Sequence, residues 1–280
     1  MADTLLDDVA GLLRETADRI VLPSFRHLDA ADVIEKAPGE LVTVADRRAE
    51  EAITAGLRRL RPNSLVVGEE AVAEDPSLLR HLRSSGDVWL VDPIDGTANF
   101  AAGQRPFALM ISLLSGGEPV AGWIFDPLAE TLATGWLETG VHLDGRPLRL
   151  PTEAPSLGSL RGAAMTRFLP PSSRRTVEAG GARVGELLPG QHCAGREYLD
   201  LLTGAQQFVI FWRTLPWDHG PGTLLVRAAG GVARRFDGTD YHPADTEHGL
   251  LVAINDQVWH TVHETLLPTP PSPPPPPPPS

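Results

Sequence analysis

Two short apolar runs in this chain end on carboxylates: LVVG leads into Glu69 and Glu70, and VWLV leads into Asp92, with Asp95 close behind. Such runs read as buried strands, so the fold must accept negative charge where core strands end. In open α/β sheets those ends are where ligands bind. Carboxylates crowded there repel one another strongly in a low-dielectric cleft. Hard divalent cations relieve that repulsion, and Mg2+ takes a few carboxylates together with water and substrate phosphate oxygens. Zinc suits the chain poorly: there is a single cysteine, Cys193, and the pair His260 and His263 lies late in the sequence with no further ligands nearby.

The surrounding pattern is that of a mixed α/β chain. Apolar positions 5, 9, 12, 13, 20 and 21 recur at helical spacing and predict a first helix to about residue 26, and DRRAEEAITAGLRRL predicts a second over 46–60. Strands are expected at 65–67, 88–91, 108–114, 120–125 and 131–135, with a hairpin-like turn at Asp144-Gly145. Strands and helices then alternate, with a strand over 207–212, a helix over 216–229, a strand over 250–255 and a last helix over 258–267. The chain divides into an N-terminal half, 1–150, with most of the acidic motifs, a C-terminal half, 151–267, and a tail, 268–280. Seven consecutive prolines make that tail an extended, disordered segment, with docking into an aromatic groove of a partner as the alternative.

Composition narrows the function classes. No apolar run approaches the ~20 residues of a membrane span, and the acidic, amphipathic N-terminus does not read as a secretory signal. A lone cysteine points to the reduced cytoplasm. A net charge of −12 argues against a nucleic-acid polymer or an anionic membrane as partner. Of 24 basic residues one is a lysine, Lys36. Either codon bias spared it by chance, or a compact ammonium is needed there rather than a planar guanidinium.

Taken singly, the acidic residues have structural explanations. Thr43-x-x-Asp46 is a helix capping box, Asp95-Gly96 a turn, and Asp218 a first-turn residue stabilised by the helix dipole. The four segments KAPGELVTVAD, GEE, DPIDGTANF and WDHGPG, taken in order and spacing, resemble the inositol monophosphatase family of lithium-sensitive, magnesium-dependent phosphatases across residues 5–265. The resemblance implies a layered α/β/α/β/α sandwich. It implies that Glu69, Asp92 and the Ile94 carbonyl hold one Mg2+ and that Asp92, Asp95 and Asp218 hold a second. Glu70 would stand behind them or at a third ion. Asp46 and Thr97 would orient and deprotonate the attacking water, Gly96 and Thr97 would offer backbone N–H groups to the phosphate, and Lys36 would lie near the phosphate or a metal-bound water. The implied reaction is hydrolysis of a small phosphomonoester without a phosphoenzyme, in a protein that forms homodimers.

Related readings stay open: a phosphatase for histidinol phosphate, a sugar bisphosphate or phosphoadenosine phosphate, or an inactive binding or scaffold relative. The chain departs from its inositol-specific relatives at one point. Those carry an acidic residue seven positions before the WD aspartate, and counting back from Asp218 gives Phe211. A phenyl ring cannot accept a hydrogen bond from a polyol, so discrimination for inositol is expected to be lost. Gly195, Arg196 and Phe211 are expected beside the substrate, with Arg196, Glu197 and Arg213 supplying charge for a substrate that carries its own ionised groups.

Overall fold

The computed structural model describes residues 2–37 and 40–267; the proline tail lies outside the described residues. Helix α1 (Ala2–Thr16) runs through a π turn at Ala17–Val21 into α2 (Leu22–Ser24), so the first helix is present but ends before residue 26. Arg26, at φ 64°, turns the chain away. An antiparallel hairpin follows, β1 (Val33–Ala37) and β2 (Glu40–Thr43), which the apolar pattern did not suggest. Thr43 then caps α3 (Val44–Leu60): its hydroxyl accepts from the Ala45 and Asp46 amides while the Asp46 carboxylate accepts from the Thr43 amide. The capping box is therefore real, and it fixes Asp46 in the first turn.

The first sheet is built from β3 (Leu65–Gly68), β4 (Asp87–Asp95), β5 (Ala108–Ser115), β6 (Glu118–Asp126), β7 (Thr131–Trp136), β8 (Gly140–Leu143) and β9 (Arg146–Leu148), in that spatial order. Helix α4 (Glu69–Glu74) leaves the end of β3, and α5 (Thr97–Ala101) leaves the end of β4. Only β3 and β4 are parallel; the other neighbours are antiparallel. The β8–β9 turn falls at Asp144 and Gly145, whose positive φ values of 49° and 76° suit a tight hairpin.

The second sheet has the order β11-β10-β12-β14-β13. Its elements are β10 (Arg161–Ala164), α6 (Pro171–Gly181), β11 (Glu186–Pro189), α7 (Ala194–Leu202), β12 (Phe208–Phe211), α8 (Pro216–Ala228), β13 (Val232–Arg235), β14 (Leu250–Ala253) and α9 (Asp256–Leu266). The last strand stops short of 255 because Asn255 caps α9, accepting the Val258 amide at 2.9 Å.

Side chains alternate across β5 and β6. Leu109, Ile111, Trp123 and Phe125 face α1 and α3, whereas Met110 and Ile124 join Tyr198, Leu225 and Phe208 in the second core. Both faces are buried, which is why these strands look like unbroken apolar runs rather than alternating ones. Helices α7 and α8 fill the space between the sheets, and α6 and α9 cover the outside of the second. The result is the expected α/β/α/β/α sandwich.

Helix α8 fits between the sheets because its GPG segment is small. A Cβ at Gly220 would stand 2.9 Å from a Leu90 methyl, one at Gly222 would overlap the Tyr198 ring, and the Pro221 carbonyl lies against Gly122 of β6. That close seating brings the first turn of α8, with Asp218, to the end of the first sheet.

Candidate active site

Register places the first two carboxylates. Gly68 pairs with Val91 in the parallel β3–β4 ladder, so the next residues, Glu69 and Asp92, lie side by side where β3 ends. Beyond Asp92 the ladder with β5 is irregular: Asp92 pairs with Met110 and Asp95 with Ala108, one extra residue on the β4 side. Pro93 sits in this bulge, where its missing donor costs no ladder bond. The bulge re-aims the chain so that the Ile94 side chain is fully buried while its carbonyl lies 2.9 Å from the Thr97 hydroxyl. Gly96 ends the strand at φ 86°, and a Cβ there would come within 3.0 Å of the Pro106 carbonyl. A glycine is therefore required before α5.

Asp46 is buried behind this turn. Its Oδ2 accepts from the amide (2.8 Å) and hydroxyl of Thr43, and its Oδ1 lies 3.1 Å from the Thr97 hydroxyl. That hydroxyl has one proton for two acceptors, Asp46 and Ile94, so it can switch between them. Burial pushes the Asp46 carboxyl up to about 6 despite the Thr43 hydrogen bonds. Lys36, on β1, reaches across to Glu69 Oε1 at 3.1 Å and Glu70 Oε1 at 2.7 Å. Burial works against its charge, but the charge of Glu69 and the hydrogen bond to Glu70 outweigh that and hold it above the ordinary lysine value.

The remaining carboxylates crowd together. Burial, then the charges of Glu69, Asp95 and Asp218, push Asp92 well above the usual carboxylate range. Burial and the charges of Asp95 and Glu69 do the same to Asp218, which lies within hydrogen-bonding reach of Asp92. Burial brings Glu69 up to about 7. Burial also raises Asp95, although its Oδ2 accepts from the Cys193 thiol at 3.0 Å and the Gly195 amide at 2.6 Å. Asp92 Oδ1 is buried with no hydrogen-bond partner. These side chains line one end of a cleft of about 550 Å³.

The donor set is all oxygen and carries more negative charge than Lys36 can offset, which fits a hard divalent cation. Among the described residues no three His, Cys, Asp or Glu side chains already close around one point as a finished metal cage. Several instead take protein donors: Glu69 from Lys36, Asp95 from Cys193 and Gly195, Asp46 from Thr43.

Other expected substrate residues divide. Phe211 does line the cleft, stacked on Tyr198 at 5.4 Å and edge-on to His219 at 4.6 Å. Arg213 lines it as well. Arg196 and Glu197, expected to supply charge to the substrate, are not among its lining residues. Arg196 is paired with Asp126 at 3.3 Å and Asp200 at 2.6 Å, whereas Glu197 is fully buried, accepting the Gln191 amide at 2.8 Å and the Gln206 side chain at 3.0 Å. Gly195 enters only through its amide, which Asp95 occupies.

Several side chains that shape the site were not singled out from the sequence. Glu50 is buried on α3 and accepts the Glu70 and Ala71 amides at 2.8 and 2.9 Å, capping α4 and so fixing Glu69 and Glu70. It does so across Gly68, where a Cβ would collide with its carboxylate. His219 accepts from the Tyr198 hydroxyl at Nδ1 and donates from Nε2 to the Arg213 carbonyl, both at 2.9 Å; burial lowers its pKa to about 4, so it stays neutral. Asn99 ties α5 to the Pro106 and Gln191 carbonyls at 2.8 and 3.0 Å. Trp217 lines the cleft with its Nε1 buried and unpartnered. Asn99, Trp217 and His219 lie inside the motifs, which is their one sequence signal; Glu50 lies outside them and has none.

A sequence profile of the inositol monophosphatase family matches residues 5–269. The chain belongs to the inositol monophosphatase family. It is 31% identical over 269 residues to an inositol-1-monophosphatase of Mesorhizobium japonicum, covering 92% of this chain and 94% of that protein. It is 30% identical over 266 residues to Nus factor SuhB of Pseudomonas aeruginosa, covering 90% and 92%. Among solved structures, the Thermotoga maritima IMPase matches with a TM-score of 0.78 at 23% identity, covering 94% of this chain and 98% of that one. Inositol monophosphatase family members are phosphatases, so the reaction class is hydrolysis of a phosphoric monoester. No helix among the described residues is long and apolar enough to cross a membrane.

Proposed function

We propose that this family member hydrolyses a small phosphomonoester with Mg2+ bound at the carboxylate end of the cleft. The observation that carries the reading is Asp92, buried among Glu69, Asp95 and Asp218 with one carboxylate oxygen unpartnered. An isolated buried carboxylate oxygen is costly, and a cation there would satisfy it. Glu69, Asp92 and the Ile94 carbonyl would hold one ion, and Asp92, Asp95 and Asp218 a second, with Glu70 kept behind them by Lys36 and Glu50. When bound, divalent metal acts as a Lewis acid toward phosphate and acidifies coordinated water.

The chain's own residues do the rest. Thr97 can give its proton to Asp46 and turn a lone pair to the attacking water, so that the water's proton passes through Thr97 toward Asp46. A carboxyl at about 6 is suited to accept a proton near neutral pH. The start of α5, at Gly96 and Thr97, meets the phosphate. Phe211 gives a polyol nothing to bond to, so myo-inositol 1-phosphate is not the preferred substrate. The test is phosphate release from inositol, sugar, nucleotide and histidinol phosphates with and without Mg2+. Release that is metal-dependent supports the reading, and release unaffected by chelation removes it. A tenfold lead for inositol 1-phosphate in kcat/KM would overturn the Phe211 argument alone.

A further inference from the structure

The cleft has a second end, and its surface is mostly carbon. Besides the carboxylate cluster and the start of α5, the lining includes Leu41, Leu79, Leu215, Met165, Phe168 and Trp212, alongside Phe211. Leu79, in the 3-10 turn Pro76–Arg83, is 38% exposed and Phe168 is 42% exposed, so these two side chains stand at the mouth. Groups that could serve a hydroxyl there are scarce. Among the described lining residues there is no serine, asparagine, glutamine or tyrosine. The Thr97 hydroxyl is engaged with Asp46 and the Ile94 carbonyl, and His219 uses both ring nitrogens on Tyr198 and the Arg213 carbonyl. Lysine, arginine and tryptophan side chains donate but do not accept. Lys36 is bonded to Glu69 and Glu70. Arg167 and Arg213 each hold the guanidinium carbon 5.1 Å from the centre of the Phe168 ring, and the charge of Arg213 also bears on Asp218. His192 remains, exposed in the lining, and one imidazole cannot satisfy a polyol.

A hydroxyl stripped of water without a partner is costly, whereas carbon brought onto carbon is favourable. Large apolar side chains left in water at the opening of a cleft therefore suit an apolar occupant. We propose that the mouth receives a hydrocarbon alcohol portion, so that the preferred substrates are phosphomonoesters of apolar alcohols. The inference rests on the phosphatase reading above, which puts the phosphate at the carboxylate end and leaves the alcohol portion to the rest of the cleft. In the reaction the oxygen of water bonds to phosphorus and the P–O bond to the alcohol breaks. The alkoxide leaves with a proton, giving inorganic phosphate and the free apolar alcohol.

The experiment compares cyclohexyl phosphate with myo-inositol 1-phosphate at saturating Mg2+, since the two share a carbon ring and differ in its hydroxyls. A series of ethyl, butyl and hexyl phosphates accompanies them, with p-nitrophenyl phosphate as the generic ester. Cyclohexanol is the poorer leaving group, so a lead for its ester reports contacts with the alcohol portion. Cyclohexyl phosphate should lead by about tenfold in kcat/KM, and the alkyl series should rise about threefold per methylene. Both trends should survive high salt, because contacts between carbon atoms are not screened. Phe168→Ser and Leu79→Ser, both at exposed positions, should each lower the cyclohexyl lead about threefold, while Phe168→Leu should keep most of it. No lead in the wild type, a flat alkyl series, a lead erased by salt, or a lead unmoved in a well-folded protein carrying both serine substitutions overturns the inference while leaving the phosphatase reading intact. Absence of Mg2+-dependent release from every ester, p-nitrophenyl phosphate included, overturns both.

Discussion

The two ends of the cleft are built by different means. At the carboxylate end every residue is set by the backbone: Glu69 and Asp92 by parallel register, Asp95 by a bulge, Asp46 by a capping box, Asp218 by the first turn of a helix with no room to shift. At the mouth, Arg167, Phe168 and Arg213 come from connecting segments and are arranged by ring contacts between side chains. Backbone devices hold geometry tightly and tolerate little change, while side-chain contacts on loops are easily altered. Substitutions at the first end should therefore change turnover for every substrate, and those at the second should change the ranking of substrates.

The largest effect should come from Asp95→Asn. The amide oxygen can still accept from Gly195 N–H, so the fold should hold, but loss of the charge should lower kcat about a thousandfold. More than a tenth of wild-type turnover at saturating Mg2+, a deficit under ~1.4 kcal/mol, would blur the contrast between the ends. Thr97→Ala should reduce kcat about a hundredfold with Mg2+ affinity by calorimetry within about twofold, since the Thr97 hydroxyl bonds Asp46 and the Ile94 carbonyl and is itself no proposed ligand. A collapse of metal affinity would move Thr97 into the metal site.

Lys36→Arg is a finer test. The ammonium is wedged between Glu69 and Glu70 with 16% of its side chain exposed, and a planar guanidinium does not fill that space alike. A three- to tenfold loss in kcat/KM, about equal for all substrates, is expected. Wild-type kinetics would make the lone lysine an accident of codon usage, and a substrate-dependent loss would assign it to the mouth.

The smallest effect concerns stability. Asp46 at about 6 and Glu69 and Glu50 at about 7, each raised by burial, bind more protons folded than unfolded. Their contribution is most favourable below the unfolded value near 4 and is lost as pH rises toward 7. Mg2+ binds the deprotonated cluster, so it should add stability as pH rises. The melting temperature with Mg2+ minus that with chelator should grow by roughly 5 °C between pH 5 and 7.5. A difference that is flat or shrinks would mean that the acidic end is not held together against its own repulsion.

The sequence made the acidic end readable because strand ends, caps and turns are coded locally. It also suggested a reason that the fold does not support in full. Ligand sites at the carboxyl ends of strands belong to parallel sheets, yet only β3 and β4 are parallel in the first sheet. The carboxylates meet because one parallel pair, one bulge and two helix starts converge. Arg196 and Glu197 offer charge to a substrate when read from the sequence, but successive residues on a helix point about 100° apart, and α7 turns them toward Asp126, Asp200 and Gln206. Glu50 was silent for the opposite reason. A glutamate in an amphipathic helix reads as solvent-facing, and only the absence of a side chain at Gly68 lets it reach α4. Short strands such as β10, β11 and β13 carry too few residues for a periodic signal.

The seating of α8 has a consequence for the chain as it is made. Asp46, Glu69, Asp92 and Asp95 emerge from the ribosome well before Pro216–Ala228, so the early product carries a concentration of like charge whose last contributor, Asp218, has yet to appear. Asp218 reaches the others only with both sheets packed on the small Gly220–Gly222 face. On the proposed ligand set the site is therefore completed by a late segment, and a fragment ending before Pro216 would hold most of the acidic residues without Asp218.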